Sequence, residues 1–465
     1  METTLKESKR FTLITLLLCV LFLFLFCSIP RISRAQARVR FPDAHERPPE
    51  KWTGRVFRLS QDYPIAMPDS FALPWRDIDF VTKPVPYMMT VLKYAYLDNI
   101  TDNDWQPEKN TTNPWYHAPW LHWGSRGREF IRGMTRERRS RPCELSGQQE
   151  EERQTWAVSV YNELGGYVLG RVWDKPWAPN PAAAVFPEGT VAIKVLFTQA
   201  TATEVPYLQG APEWEANIEV RPGAREQGNL RLLQIDFAVR DKRADPWTGW
   251  VFGTFQYSAD APGERPWDKV VPVALTWGND PYVTPDDIKG GKKLAESWIN
   301  PDAPIVKYRR SVCRTMGWAG RANGPVDDDK SACLSCHSTA QSPPQASLAP
   351  PGTAKLDSDK LPWFRNLGPG QAFSPEAQSL SYSLQLSVGI QNFYSWVESV
   401  QTLNVVEAPS SPPSPRQSCK PCEAPASSGE SKAMAGKAQT QPSHRSTSYW
   451  MSRDPVESQP MPPPP

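Results

Sequence analysis

Hydrophobic residues fall on every second position of "TVAIKVLFTQA" (190–200), through Val191, Ile193, Val195 and Phe197. A period of two puts them on one side of an extended strand. "LRLLQIDFAVRD" (230–241) repeats the pattern through Leu232, Ile235, Phe237 and Val239, with one slip between the first two. "TWAVSV" (155–160), "GYVLGRVW" (166–173), "WVFGTFQY" (250–257) and "KVVPVALTW" (269–277) are short, β-branched or aromatic, and bounded by Pro, Gly and Asp. That pattern predicts an antiparallel β-sandwich body over residues 38–300. Later, "LSYSLQLSVGI" (380–390) alternates from Leu380 to Ile390 and predicts one more strand, returning to the sheet. "NFYSWVESV" (392–400) predicts a short helix after it. The fold expected is therefore mainly β, an antiparallel β-sandwich with a small helical insert ahead of its last strand.

Both ends depart from this pattern. Residues 11–29, "FTLITLLLCVLFLFLFCSI", are apolar throughout and follow Lys6, Lys9 and Arg10. Residues 1–37 are expected to be a signal peptide or an N-terminal membrane anchor. Ala35-Gln36-Ala37 offers a cleavage site, although Arg31 and Arg34 approach it poorly. Residues 406–465 hold thirteen prolines with Ser, Gln and Lys. Such a composition buries too little apolar surface to offset ordering, so this tail is expected to be disordered. "SPPQASLAPPGTAKLDSDKLP" (342–362) reads as an extended loop.

A net charge of +2 with 22% charged residues gives no reason to expect nucleic acid as a partner. Seven tryptophans, at 75, 115, 120, 177, 247, 267 and 363, each follow a proline without a fixed period. They are expected to plug loops against the sheet ends. The sharper alternative is a glycan-binding aromatic face.

Chemistry concentrates in Cys333-Leu334-Ser335-Cys336-His337. Residues three and four apart share a helix face, so both thiols and the imidazole point one way. Two thiols can form thioethers to one haem while the histidine reaches its iron, the c-type attachment pattern. Asp327, Asp328 and Asp329 precede it and predict a helix start near Asp329. A zinc site would need a second ligand pair, which the body lacks. A redox-active disulfide would not need the histidine. The motif falls in an expected haem-binding segment, residues 301–405, holding one covalent haem c.

Cys143 and Cys313 are the remaining cysteines of the body, and in an oxidising compartment they are expected to pair. Cys419 and Cys422 repeat the spacing, but Glu423 stands in the histidine's place. Covalent haem is attached outside the bacterial cytoplasmic membrane, so the expected location is the periplasm, free or anchored through residues 11–29.

"CLSCHSTAQ", with "ELGGYVLGRVW", "FPEGTVAIKVLF", "WVFGTFQY" and "TWGNDP", resembles a group of exported bacterial c-type cytochrome-like proteins. The resemblance implies thioethers at Cys333 and Cys336 and His337 as proximal iron ligand. Small soluble cytochromes c supply a distal methionine downstream. Here none follows His337 before Met434. The distal candidates are upstream: His122, His117 and Met316, the two histidines lying in the Trp-rich "WYHAPWLHWG".

One haem carries one electron, so the leading expectation is an electron-transfer protein rather than an enzyme, serving an unidentified redox partner. The arginine-rich stretch 126–141 suits an acidic partner or haem propionates. The alternatives are a peroxidase-like or small-gas-binding haem enzyme, and a glycan-binding β-sandwich carrying a redox haem.

Overall fold

The computed structural model describes residues 60–68, 71–101, 103–121, 134–221 and 224–401, with Phe41 and Trp52. Residues 1–37, the tail 406–465, His122 and the cysteines at 19, 27, 419 and 422 lie outside the described residues. The compact unit that begins at residue 46 holds every described strand and helix.

The fold is mainly β. Its main element is an eight-stranded antiparallel sheet. The strands are β1 (Thr135–Arg136), β2 (Thr155–Tyr161), β3 (Val191–Thr198), β4 (Glu213–Arg221), β5 (Ala224–Arg240), β6 (Trp250–Tyr257), β7 (Val270–Thr276) and β8 (Ser297–Ile299). Their spatial order is β8-β7-β6-β5-β3-β2-β1. The long β5 pairs with β4 through its first half and with β3 through its second. The slip in the β5 pattern is a bulge. Leu232 faces Phe197 and Gln234 faces Leu196, so one extra residue, Leu233, is accommodated.

Alternation gives the two sheet faces different chemistry. One row across the strands is Val158, Val195, Ile235 and Phe255, and the next is Val160, Ile193, Phe237 and Gly253. These side chains, glycine aside, are buried in the main core with Tyr87, Met88, Val91 and Leu92 of α1 (Pro84–Tyr96). Burying each such aliphatic side chain stabilises the fold by roughly 1.5–3 kcal/mol. On the opposite face one row is Ser159, Lys194, Asp236, Thr254 and Ala274. The neighbouring row is Tyr161, Ala192, Ala238 and Phe252. This face is polar or small at its centre, with Tyr161 and Phe252 at the ends of the second row.

Two segments expected as strands are helices. "GYVLGRVW" lies in α2 (Glu163–Val172), capped by Asn162, whose Oδ1 accepts from Gly165 N–H at 3.2 Å. Its buried Leu164, Val168, Leu169 and Val172 follow a helical spacing. Glycine serves close packing here, since a Cβ on Gly166 would sit 2.4 Å from the Tyr116 ring. "LSYSLQLSVGI" enters α5 (Leu384–Gln401), one helix with the segment after it. Leu386, Ile390, Phe393 and Trp396 are buried, spaced by four, three and three. Phe393 and Trp396 pack on Trp120, with ring centroids at 5.6 and 5.1 Å. An i, i+4, i+7 stripe coexisted with the period of two, and these aromatic partners selected the helix.

The segment ahead of the motif begins with α3 (Pro304–Ser311) and is fastened by arginines. Buried Arg309 donates to the carbonyls of Thr315, Met316 and Pro325 at 3.1, 2.8 and 2.8 Å. Arg138 donates to Glu144 and to the Val326 carbonyl. Arg141 reaches Asp328 at 3.1 Å and Arg314 reaches Asp329 at 2.6 Å. The described end of the arginine-rich stretch thus holds this loop. Cys143 and Cys313 are both disulfide-bonded. The Cys143 carbonyl accepts from Tyr308 and Arg314 at 2.9 and 3.4 Å, which draws its segment to the one carrying Cys313. Among the described residues no helix is long and apolar enough to cross a membrane.

Candidate functional site

Cys333–His337 forms a short helix, α4. It starts four residues later than the aspartates suggested. Asp328 and Asp329 are engaged by Arg141 and Arg314, and Asp327 accepts from Gly324 N–H at 3.0 Å. The start is set by fully buried Ser335. Its Oγ accepts from Ala332 N–H at 2.8 Å and donates to the Ala332 carbonyl at 3.0 Å. Cys333 and Cys336 are free thiols, both half-buried, as is His337.

His337 is oriented by a carbonyl. Its Nδ1 lies 2.9 Å from the Tyr382 oxygen, so Nδ1 carries the hydrogen and donates, leaving the lone pair on Nε2. That carbonyl is aimed by two successive left-handed residues, Ser381 (φ 51°) and Tyr382 (φ 64°). Such backbone is costly for side-chain-bearing residues and is found where surroundings enforce it. Here Tyr382 Oη donates to the Leu367 carbonyl at 2.8 Å and accepts from Leu367 N–H at 3.2 Å. The His337 ring packs on Phe252, centroids 4.6 Å apart. Burial keeps His337 neutral, with its pKa lowered to about 4 against the opposing pull of the Tyr382 carbonyl.

α4 covers the polar sheet face. Ala192, Lys194, Asp236 and Ala238 belong to central strands, yet they are only half-buried. These residues and the half-buried motif therefore keep partial contact with solvent. Among them Lys194 Nζ is 3.6 Å from Glu137 Oε2. Gln234 Nε2 lies 2.8 Å from both Asp236 oxygens and 3.3 Å from Asp327 Oδ2. Burial opposes the Lys194 charge, but Glu137, Asp327 and Asp236 outweigh it and hold the ammonium well above its ordinary range. Burial, then the Asp327 charge, raises Asp236 to about 7. Burial and the Asp327 charge also push the Cys336 thiol up to about 12, and Cys333 is raised well above its usual value.

The remaining candidates have other partners. His117 is buried with Nδ1 donating to the Ser159 carbonyl at 2.9 Å, and burial lowers its pKa to about 4. Met316 is buried within the main hydrophobic core. Of the Pro-Trp tryptophans, Trp75, Trp115, Trp120 and Trp267 are buried, while Trp177 is exposed. Among the described residues no three or more of His, Cys, Asp and Glu are grouped to hold a bare ion.

Sequence reading missed Lys194, Gln234, Asp236, Asp327 and Tyr382. The first three did leave a signal, as polar residues inside otherwise apolar central strands. No family model matches the chain, and no curated protein or solved structure matches it either.

Proposed function

We propose that this chain is an exported monohaem protein that carries electrons, with haem attached through Cys333 and Cys336 and His337 as its axial iron ligand. The observation that carries this reading is the His337 hydrogen bond. A histidine that donates Nδ1–H to a carbonyl presents Nε2 to a metal in a defined orientation and with raised basicity. The donor set fits the group. Two thiols and this imidazole lie within one turn and a half of helix, and Ala192 and Ala238 on the sheet keep partial exposure. When bound, haem supplies a one-electron store. Ser335 fixes the turn, Phe252 and Tyr382 hold the imidazole, and Lys194 places one positive charge on the sheet face near Cys336.

The raised thiols speak against a dithiol oxidoreductase. Nucleophilic cysteines of that type need a depressed pKa, and burial beside Asp327 and Asp236 acts the other way. Export is supported by the disulfide-bonded Cys143 and Cys313, since such bonds persist in oxidising compartments.

The test is expression with haem-maturation factors, followed by denaturing electrophoresis and haem staining. The band is expected to stain, to survive acidified-solvent extraction and to lose colour in Cys333→Ser/Cys336→Ser. Complete extraction of haem from the wild-type protein would overturn the reading.

A further inference from the structure

Three carboxylates, Glu137, Asp236 and Asp327, surround one cation, Lys194, which is committed to Glu137 at 3.6 Å. A single amide nitrogen, Gln234 Nε2, separates Asp236 from Asp327. The other end of that amide accepts from Val326 N–H at 3.2 Å, which fixes which way it faces. Carboxylates this close in a partly buried site resist being ionised together, so one of them holds a proton readily. Thr254 stands directly opposite Asp236 across β5 and β6, and it is buried. Its hydroxyl lies near enough to favour the Asp236 anion, and it makes no hydrogen bond among the described residues. A hydroxyl can donate to an ionised carboxylate or accept from a protonated one, so it suits both states.

We propose that Asp236 is a proton-exchange site that takes up one proton when the centre held at Cys333, Cys336 and His337 takes up one electron. This rests on the haem reading. The balance is simple. A one-electron donor protein supplies the electron, solvent supplies the proton at the partly exposed Asp236, and one O–H bond forms on the Asp236 carboxylate.

The groups facing Asp236 set the sign. Asp327, from the loop ahead of α4, favours the protonated acid, and Glu137, just after β1, lies against Lys194. Lys194, from β3, favours the anion, as do the Thr254 hydroxyl and the Gln234 amide. On α4, the free Cys333 thiol lies near enough to Asp236 for their charges to interact, and as a thioether it carries no charge. Burial and Asp327 place the transition of Asp236 at about 7. An added electron nearby raises its proton affinity further, so the reduction potential falls as pH rises through neutrality.

The experiment is a spectroelectrochemical titration of the full-chain protein with its haem, from about pH 5 to pH 9. The wild-type potential is expected to fall across neutrality by at most a tenfold change in the reduction equilibrium per pH unit, or 59 mV. Asp236→Asn should lose that dependence and stay at the wild-type low-pH plateau. Asp327→Asn should move the fall to lower pH, because a like charge is gone. Asp302→Asn, an exposed control, should behave as wild type. If Asp236→Asn does not fold, the Asp327→Asn shift and indicator-dye measurement of proton uptake by the wild type decide. A flat wild-type potential, or an unchanged fall in Asp236→Asn, overturns this inference alone. A protein without covalent haem overturns it together with the haem reading.

Discussion

Arg309→Met tests how the motif segment is held. The guanidinium is buried and forks to three carbonyls, those of Thr315, Met316 and Pro325, at 3.1, 2.8 and 2.8 Å. These carbonyls belong to the chain that leads into α4. Methionine fills similar volume and offers no donor. Each orphaned buried carbonyl costs about 1–3 kcal/mol. Relief of guanidinium burial offsets part of that, because Arg309 Nε has no partner among the described residues and charge burial itself costs several kcal/mol. The net loss expected is about 3 kcal/mol, or about 6 °C at about 2 °C per kcal/mol for a large domain. Urea unfolding followed by tryptophan emission measures the stability directly. Arg309→Lys should recover only part, since an ammonium cannot reach three carbonyls in a fork. A loss below about 1 kcal/mol in Arg309→Met would refute the reasoning, because the carbonyls would then be finding other partners.

Three further outcomes are expected. Buried neutral His117, with a folded-state pKa of about 4 against an ordinary value of 6.5, makes the unfolded chain bind the extra proton. Its effect is absent above pH 6.5 and costs stability as pH falls toward 4, by about 3 kcal/mol in full. Urea midpoints of wild type and His117→Gln across that range should therefore converge as pH falls, and parallel curves would count against it. Gly253→Ala should destabilise by about 1–3 kcal/mol, since the new Cβ would meet the Phe237 ring at 2.2 Å. Phe237→Leu in the same chain should return part of the loss, and thermal melts of single and double variants check the coupling. Tyr382→Phe removes both Oη bonds to Leu367 and should cost about 1–3 kcal/mol. In the haem-loaded protein it should also shift the visible bands through His337, and an unaltered spectrum with unaltered stability would show the clamp to be idle.

The local elements that the sequence determined are those whose pattern had one solution. "TVAIKVLF" and "WVFGTFQY" alternate with β-branched and aromatic residues and are strands, and even the slip at Leu232 marks a real bulge. The Cys333–Cys336–His337 spacing is likewise complete within five residues. Where two periods coexist, distant partners decided. Leu386 and Ile390 could serve a strand or a helix until Phe393 and Trp396, packed on Trp120 and Trp173, drew them into one helical face. The reach of the site was also beyond local reading. Lys194 and Asp236 sit at positions that alternation alone assigns to solvent. Only pairing of β3 with β5, and the folding of α4 over that face, puts them under the motif. Alternation records which side of a strand a residue is on. Which side meets water, and which meets another segment, is decided by packing between residues far apart in the chain.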